Sequence, residues 1–140
     1  MAIKFAWHVH HGILVEPLTE PLSVRRQYIH ENKPANEIQL RLRLLRRVRG
    51  RLPDKFVEAG KAYVEAEKAS DEAEKASDED RKAYVEARKA WDAACKARDA
   101  AWKAYQQTVQ DNAAAITALH TTECPDCPWD GTTIFPSRRE

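Results

Sequence analysis

A mainly α-helical chain is predicted, with one long alanine-seamed heptad helix (a coiled coil) and a small α+β head that joins both termini around a zinc site. Three observations predict it. Ala62 to Gln110 divides into blocks of seven, AYVEAEK, ASDEAEK, ASDEDRK, AYVEARK, AWDAACK, ARDAAWK and AYQQTVQ, each opening on alanine. No glycine, proline or asparagine interrupts Lys61 to Asp111. Four of the five histidines and two of the three cysteines lie near the chain ends, His8, His10 and His11 in one and His120, Cys124 and Cys127 in the other.

The head begins with an alternating segment. Ile3, Phe5, Trp7 and Val9 share one face and Lys4, Ala6, His8 and His10 the other, which is the period of a strand ending near Gly12. A second short strand is expected over Ile13 to Val15. Pro17 and Pro21 then open a helix to about Asn32, with Leu18, Leu22 and Ile29 inward and Thr19 as a candidate cap. A further helix is expected from Pro34 to Arg49, stopped by Gly50 in a left-handed C-terminal position. Residues 1–52 thus form the first part of the head.

Pro53 and Asp54 suit the first turn of the next helix. Within the blocks of seven, alanine recurs at the first position and a small residue, mostly alanine, at the fifth, the four-then-three spacing of a coiled-coil seam. The larger Tyr63, Tyr84, Trp91 and Tyr105 follow the first position and supply contact area. One helix over 53–119 is expected, about 100 Å long at 1.5 Å per residue; a hairpin turning at Ser77–Asp78–Glu79–Asp80 is the alternative. An unbroken helix of that length needs a second chain, so a homo-oligomer is expected. Residues 120–140 then complete the head through a knuckle at CPDC, a turn at Asp130–Gly131 and a strand through Ile134 and Phe135 that pairs with the N-terminal one.

Composition narrows the function. The 140 residues are 43% hydrophobic and 32% charged with a net charge of +1. No run of about 18 apolar residues is present, so no membrane partner is expected. The start MAIKFAWHVHHG has no basic-then-apolar leader pattern, so a cytoplasmic location is expected. An odd cysteine count in such a chain argues for metal or reduced thiols rather than disulfides.

His120, Cys124 and Cys127 form H-x3-C-x2-C where a helix ends. Two cysteines at that spacing let both thiolates reach one ion, and the histidine sits one helical turn away. His8, His10 or His11 would supply the fourth ligand of a closed, structural Zn2+ site. A head this small needs such a staple. Catalysis is not expected, because no phosphate-cradling glycine loop, nucleophile elbow or paired carboxylates occur. Cys95 reads as a small apolar residue.

The charge is unevenly divided. Residues 1–53 carry ten Lys and Arg against four Glu, while 54–140 carry thirteen against eighteen acids. Arg41, Arg43, Arg46, Arg47, Arg49 and Arg51 suit nucleic-acid phosphates or an acidic protein partner; the competing reading pairs them with the glutamates of the long helix.

The segments WHVHHGILVEPLTEPL, KPANEI, the AYVEA-type heptads and ECPDCPWDGTTIFP resemble a loose group of uncharacterised bacteriophage and environmental-genome proteins over nearly the whole chain. In that group the ends look alike and the number of helical repeats varies. The resemblance implies no activity and no ligand set; it implies a viral or mobile-element origin, and with it the cytoplasm of an infected host or a place in a virion or filament. The expected function is therefore a non-enzymatic structural or assembly protein that self-associates through the alanine-rich helix. The alternative is a nucleic-acid-binding or host-protein-binding regulator acting through the arginines.

Overall fold

The computed structural model describes residues 3–79 and 84–136. It is mainly helical, with five helices and one three-stranded sheet among the described residues. The chain forms two compact units, Met1–Leu52 with Ala114–Glu140, and Pro53–Ala113.

In the first unit β1 (Phe5–Trp7) is the central strand, flanked by β2 (Val15–Pro17) and β3 (Arg46–Arg47), both antiparallel to it. Phe5, Ala6 and Trp7 are all buried, because a three-residue central strand is covered on both faces. Between β3 and the preceding chain stand α1 (Leu22–Asn32) and α2 (Ala35–Leu44), each opened by a proline, Pro21 and Pro34. Pro21 occupies the cap position of α1, and Thr19 does not cap it.

The second head helix stops at Leu44, not at Arg49. Leu45 turns to an extended conformation, and Arg46 and Arg47 pair with Trp7 and Ala6. A third strand satisfies the polar edge of β1 and still buries Leu44 and Leu45, which a continued helix would not do. Gly50 accordingly does not terminate a helix, and its φ is not left-handed. A Cβ there would lie 2.4 Å from Leu119 Cδ1, so the constraint is close packing rather than conformation.

The C-terminal segment turns at Asp130, whose Oδ1 accepts from the amides of Thr132 and Thr133, with Gly131 at φ +101°. Ile134 and Phe135 do not form the expected strand. One backbone bond, Ile134 N–H to His11 O at 3.0 Å, joins them to the N-terminal segment, and their side chains instead complete a core with Leu44.

The second unit is a pair of helices, α3 (Asp54–Glu79) and α4 (Tyr84–Asp111), and Asn112 separates α4 from α5 (Ala113–Glu123). The single helix over 53–119 is therefore corrected to a hairpin. Its helices are antiparallel: Phe56 meets Tyr105 at 5.3 Å between ring centroids, Tyr63 meets Trp102 at 4.9 Å, and Ser70 Oγ lies 3.6 Å from Cys95 Sγ. Of the proposed Ser77–Asp80 turn, Ser77 to Glu79 belong to α3; residues 80–83 lie outside the described residues. Pairing within one chain costs only a short loop closure, whereas pairing between chains costs translational and rotational freedom.

The heptad is present but its buried face is rotated by one residue. Ala62, Ala69, Ala76, Ala90, Ala97 and Ala104, at the first position, are exposed. Partial or full burial falls on the fifth position (Ala66, Ala73, Ala87, Ala94, Ala101) and on the second (Tyr63, Ser70, Trp91, Arg98, Tyr105). Aromatic rings bury far more area than methyl groups, so the helices turn to place the rings in the seam. Ala69→Glu is accordingly expected to change stability by less than about 0.5 kcal/mol, and Ala66→Glu to cost roughly 1–3 kcal/mol. Urea unfolding of both variants tests the rotation; equal costs would contradict it.

Candidate metal centre

His120 lies on the last turn of α5, and its carbonyl accepts the Cys124 amide at 2.7 Å. The chain then folds into a tight turn, with Cys127 N–H donating to Cys124 O at 3.2 Å. The third contributor comes from the other end of the chain. His8 follows β1 directly and has φ 56°, the one positive φ of a non-glycine residue among the described residues. A left-handed residue of this kind costs on the order of 1–3 kcal/mol and persists only where surrounding structure holds it. Here it breaks the strand alternation and turns the imidazole to the interior.

His8, His120 and Cys127 thus converge, with their ligand atoms all within 4.8 Å of one another, close enough to hold a metal ion. His8 Nε2 lies 3.0 Å from His120 Nε2 and 3.1 Å from Cys127 Sγ. One imidazole nitrogen carries either one proton or one lone pair, so His8 Nε2 satisfies at most one of these two neighbours. The other nitrogen of the ring, Nδ1, is buried with no hydrogen-bond partner. Trp7 and Trp129 wall the group, at 5.1 Å from the His120 ring and 5.4 Å from the His8 ring.

Electrostatics set the protonation states. Burial, reinforced by the neighbouring His120, lowers the His8 pKa to about 4. Burial lowers that of His120 as well. Both rings are therefore neutral near pH 7, as ligation requires. Burial and the neighbouring Cys127 push the Cys124 thiol up to about 11, with Glu123 adding to the rise and Arg46 opposing it. Burial also raises Cys127, against an amide bond from Trp129 and the charges of Arg43 and Arg46. A cation bound here would displace thiol protons.

The sequence-predicted ligands divide. His8, His120 and Cys127 come together. His10 does not join them: its Nδ1 pairs with Glu16 Oε1 at 2.5 Å. Nor does His11, whose Nδ1 lies 3.1 Å from Thr133 Oγ1. Cys124 is buried beside the group but is not one of its three converging residues; with Cys127, Arg43 and Arg46 it lines a cavity of about 120 Å³. Cys95 packs on Ser70 in the helical hairpin.

Glu123, not singled out as a structural residue from the sequence, fastens the centre's surroundings. Its Oε1 accepts from the Trp7 indole N–H at 3.1 Å and the Arg49 amide at 2.8 Å, and its Oε2 from the Gly50 amide at 2.7 Å. Burial alone would raise its pKa, but these three donors and the Arg49 charge outweigh that and hold it below the usual carboxylate range.

Nor do the arginines act alike. Arg41 is buried, donates to Glu37 Oε1 at 2.7 and 2.9 Å and lies over the Phe135 ring, so it is a core residue and not a contact for an outside anion. Arg43, Arg46, Arg47, Arg49 and Arg51 are exposed. No helix is long and apolar enough to cross a membrane, among the described residues. The chain matches no protein-family model, no curated protein and no solved structure.

Proposed function

We propose that the protein is a non-enzymatic structural protein whose head is clasped by one structural zinc ion, held by His8, His120 and Cys127 with Cys124 as fourth ligand. The observation that carries this reading is the placement of three donor atoms around one point that hydrogen bonding among them does not satisfy. A cation at that point takes a lone pair from each. Two imidazoles and thiolate sulfur suit zinc best among common divalent ions. Tetrahedral zinc, with Zn–N about 2.0–2.1 Å and Zn–S about 2.3 Å, sets ligand atoms about 3.3 Å apart for two nitrogens and about 3.6 Å for nitrogen and sulfur. The distances of 3.0 and 3.1 Å need to open by only a few tenths of an ångström.

A closed site is favoured over a catalytic one by the acids nearby. A general base would have to be free, and Glu123 is engaged by three donors, while Asp126 is exposed to solvent. The role of the ion is to join the two ends of the chain, since His8 comes from one and the other ligands from the other. The intrachain hairpin covers the aromatic seam, so this reading does not depend on a second copy. A second reading, a regulator that binds an anionic partner, is favoured by the exposed arginines of 43–51.

Elemental analysis of purified protein is expected to find about one zinc ion per chain. Cobalt substitution should give a tetrahedral spectrum whose sulfur-to-metal band weakens in Cys124→Ala. Protein free of metal, or a cobalt spectrum unchanged in that variant, would overturn the four-ligand site. Light scattering is expected to report a monomer.

A further inference from the structure

We infer that the concavity beside β3, lined by Trp7, Arg46, Arg47, Arg49, Thr122 and Glu123, binds the phosphoryl group of a phosphomonoester or diphosphate. This narrows the second reading above to one ligand class, and it stands or falls apart from the zinc site. The cavity measures about 320 Å³.

Its charge is only partly absorbed by the fold, through the effect of Arg49 on Glu123. Arg41 is paired with Glu37, and Arg25 is buried with its Nε donating to Val9 O at 3.2 Å. By contrast, Arg46, Arg47 and Arg49 are exposed, and none of them forms an ion pair with a carboxylate among the described residues. Three arginines line the one concavity, and the guanidinium groups they can bring to it suit a multiply charged oxyanion, which takes paired, charge-assisted hydrogen bonds from a planar fork.

Two further features favour it. The Glu123 carboxylate at the floor would repel an anion if bare, but its oxygens already accept from Trp7, Arg49 and Gly50. Arg46 donates to Arg43 O at 3.1 Å and, at a long 3.5 Å, to Glu123 O, which holds its side chain across the rim and lowers the entropic cost of binding.

The form of the ligand follows from what the cavity lacks. Trp7 is fully buried, so it offers no ring face for a base to stack on. The Thr122 hydroxyl donates to Ala118 O and is not free to donate to a ligand. Recognition therefore rests on the guanidinium groups alone. They favour a terminal phosphoryl group, with two negative charges near neutral pH, over the single charge of a backbone diester.

Pyrophosphate titrated into the zinc-loaded full chain at low salt, followed by NMR, provides the test. The Trp7 indole N–H resonance is expected to shift and saturate, with affinity falling as salt is raised. Arg47→Gln with Arg49→Gln should weaken binding roughly tenfold or more, while Arg26→Gln, on the exposed face of α1, leaves it unchanged. If the double variant does not fold, Arg49→Lys replaces it, keeping the charge and losing the fork; weaker binding is again expected. A duplex DNA lacking terminal phosphates separates a backbone reader from a terminal-phosphoryl site. No shift with pyrophosphate, binding indifferent to the arginine changes, or a duplex bound as tightly as pyrophosphate would each overturn the proposal.

Discussion

Stripping the metal with a chelator, or replacing Cys127 by alanine, is expected to unfold the head at room temperature. Structural zinc in small domains supplies on the order of 10 kcal/mol or more of apparent binding energy, against a total stability of about 5–15 kcal/mol for a typical domain. The apolar core of the head, with Trp7, Ile29, Leu45 and Ile134 among its most buried members, must already offset the conformational entropy of ordering the unit, so a loss of that size exceeds its margin. Its sheet is made of strands of three, three and two residues, and one of its cores joins Leu44, Ile134 and Phe135. Near-ultraviolet circular dichroism reports the loss, because Trp7 and Trp129 flank the imidazoles. The signal should return when zinc is restored to the wild-type chain and not to Cys127→Ala. His10→Ala and His11→Ala, whose rings are turned to Glu16 and Thr133, should keep both metal and signal. An unchanged dichroism and melting point after removal of bound zinc would sink the staple.

The position of His8 shows where sequence reading ran out. Spacing alone places His120, Cys124 and Cys127 within one turn and a knuckle, and the gathering of histidines at the other end supplies partners. Strand alternation, however, puts His8 and His10 on the same face and cannot separate them. The separation comes from the left-handed backbone at His8, and a tertiary compensation of that kind has no local signature in Trp7–His8–Val9.

The helices show the same limit in a different form. The seven-residue period is plain in the letters, and the mainly helical class with a small sheet follows from it and from the alternating start. The rotation of the seam does not, since first-position and second-position stripes are adjacent on a helix and both keep the heptad. Ring area decides between them: Tyr63 and Tyr105 come to 6.1 Å between centroids, while Ala62 and Ala104 stay in solvent. Intrachain and interchain pairing likewise read identically in a repeat whose blocks are alike. Tethering within one chain tips the balance to the hairpin, because it spares the translational and rotational cost of bringing in a second copy.

Gly50 and Glu123 carry the second large effect. A methyl group at position 50 would lie 2.4 Å from Leu119 Cδ1 and 2.9 Å from Glu123 Oε2. Leu119 can change rotamer, but Glu123 is pinned by its three donors, so Gly50→Ala is expected to cost roughly 2–3 kcal/mol through overpacking. Glu123→Ala removes the acceptor for the part-buried Trp7 indole and for two exposed amides that water can re-satisfy, and should cost about 1–3 kcal/mol, chiefly through the indole N–H left unsatisfied. The two changes act on one contact, so the double variant should cost less than their sum. Acid provides an independent reading. Because the folded-state pKa of Glu123 is lowered, its contribution is complete above the ordinary carboxylate pKa and is lost as pH falls through the lowered value. Glu123→Gln keeps the shape but turns an amide N–H toward donors, and its stability should vary less with acid than that of the wild type. Chemical denaturation of wild type, the two single variants, the double variant and Glu123→Gln from neutral to acidic pH measures both effects; additive costs, or identical pH profiles for wild type and Glu123→Gln, would show that this carboxylate does not hold β1, Gly50 and the end of α5 together.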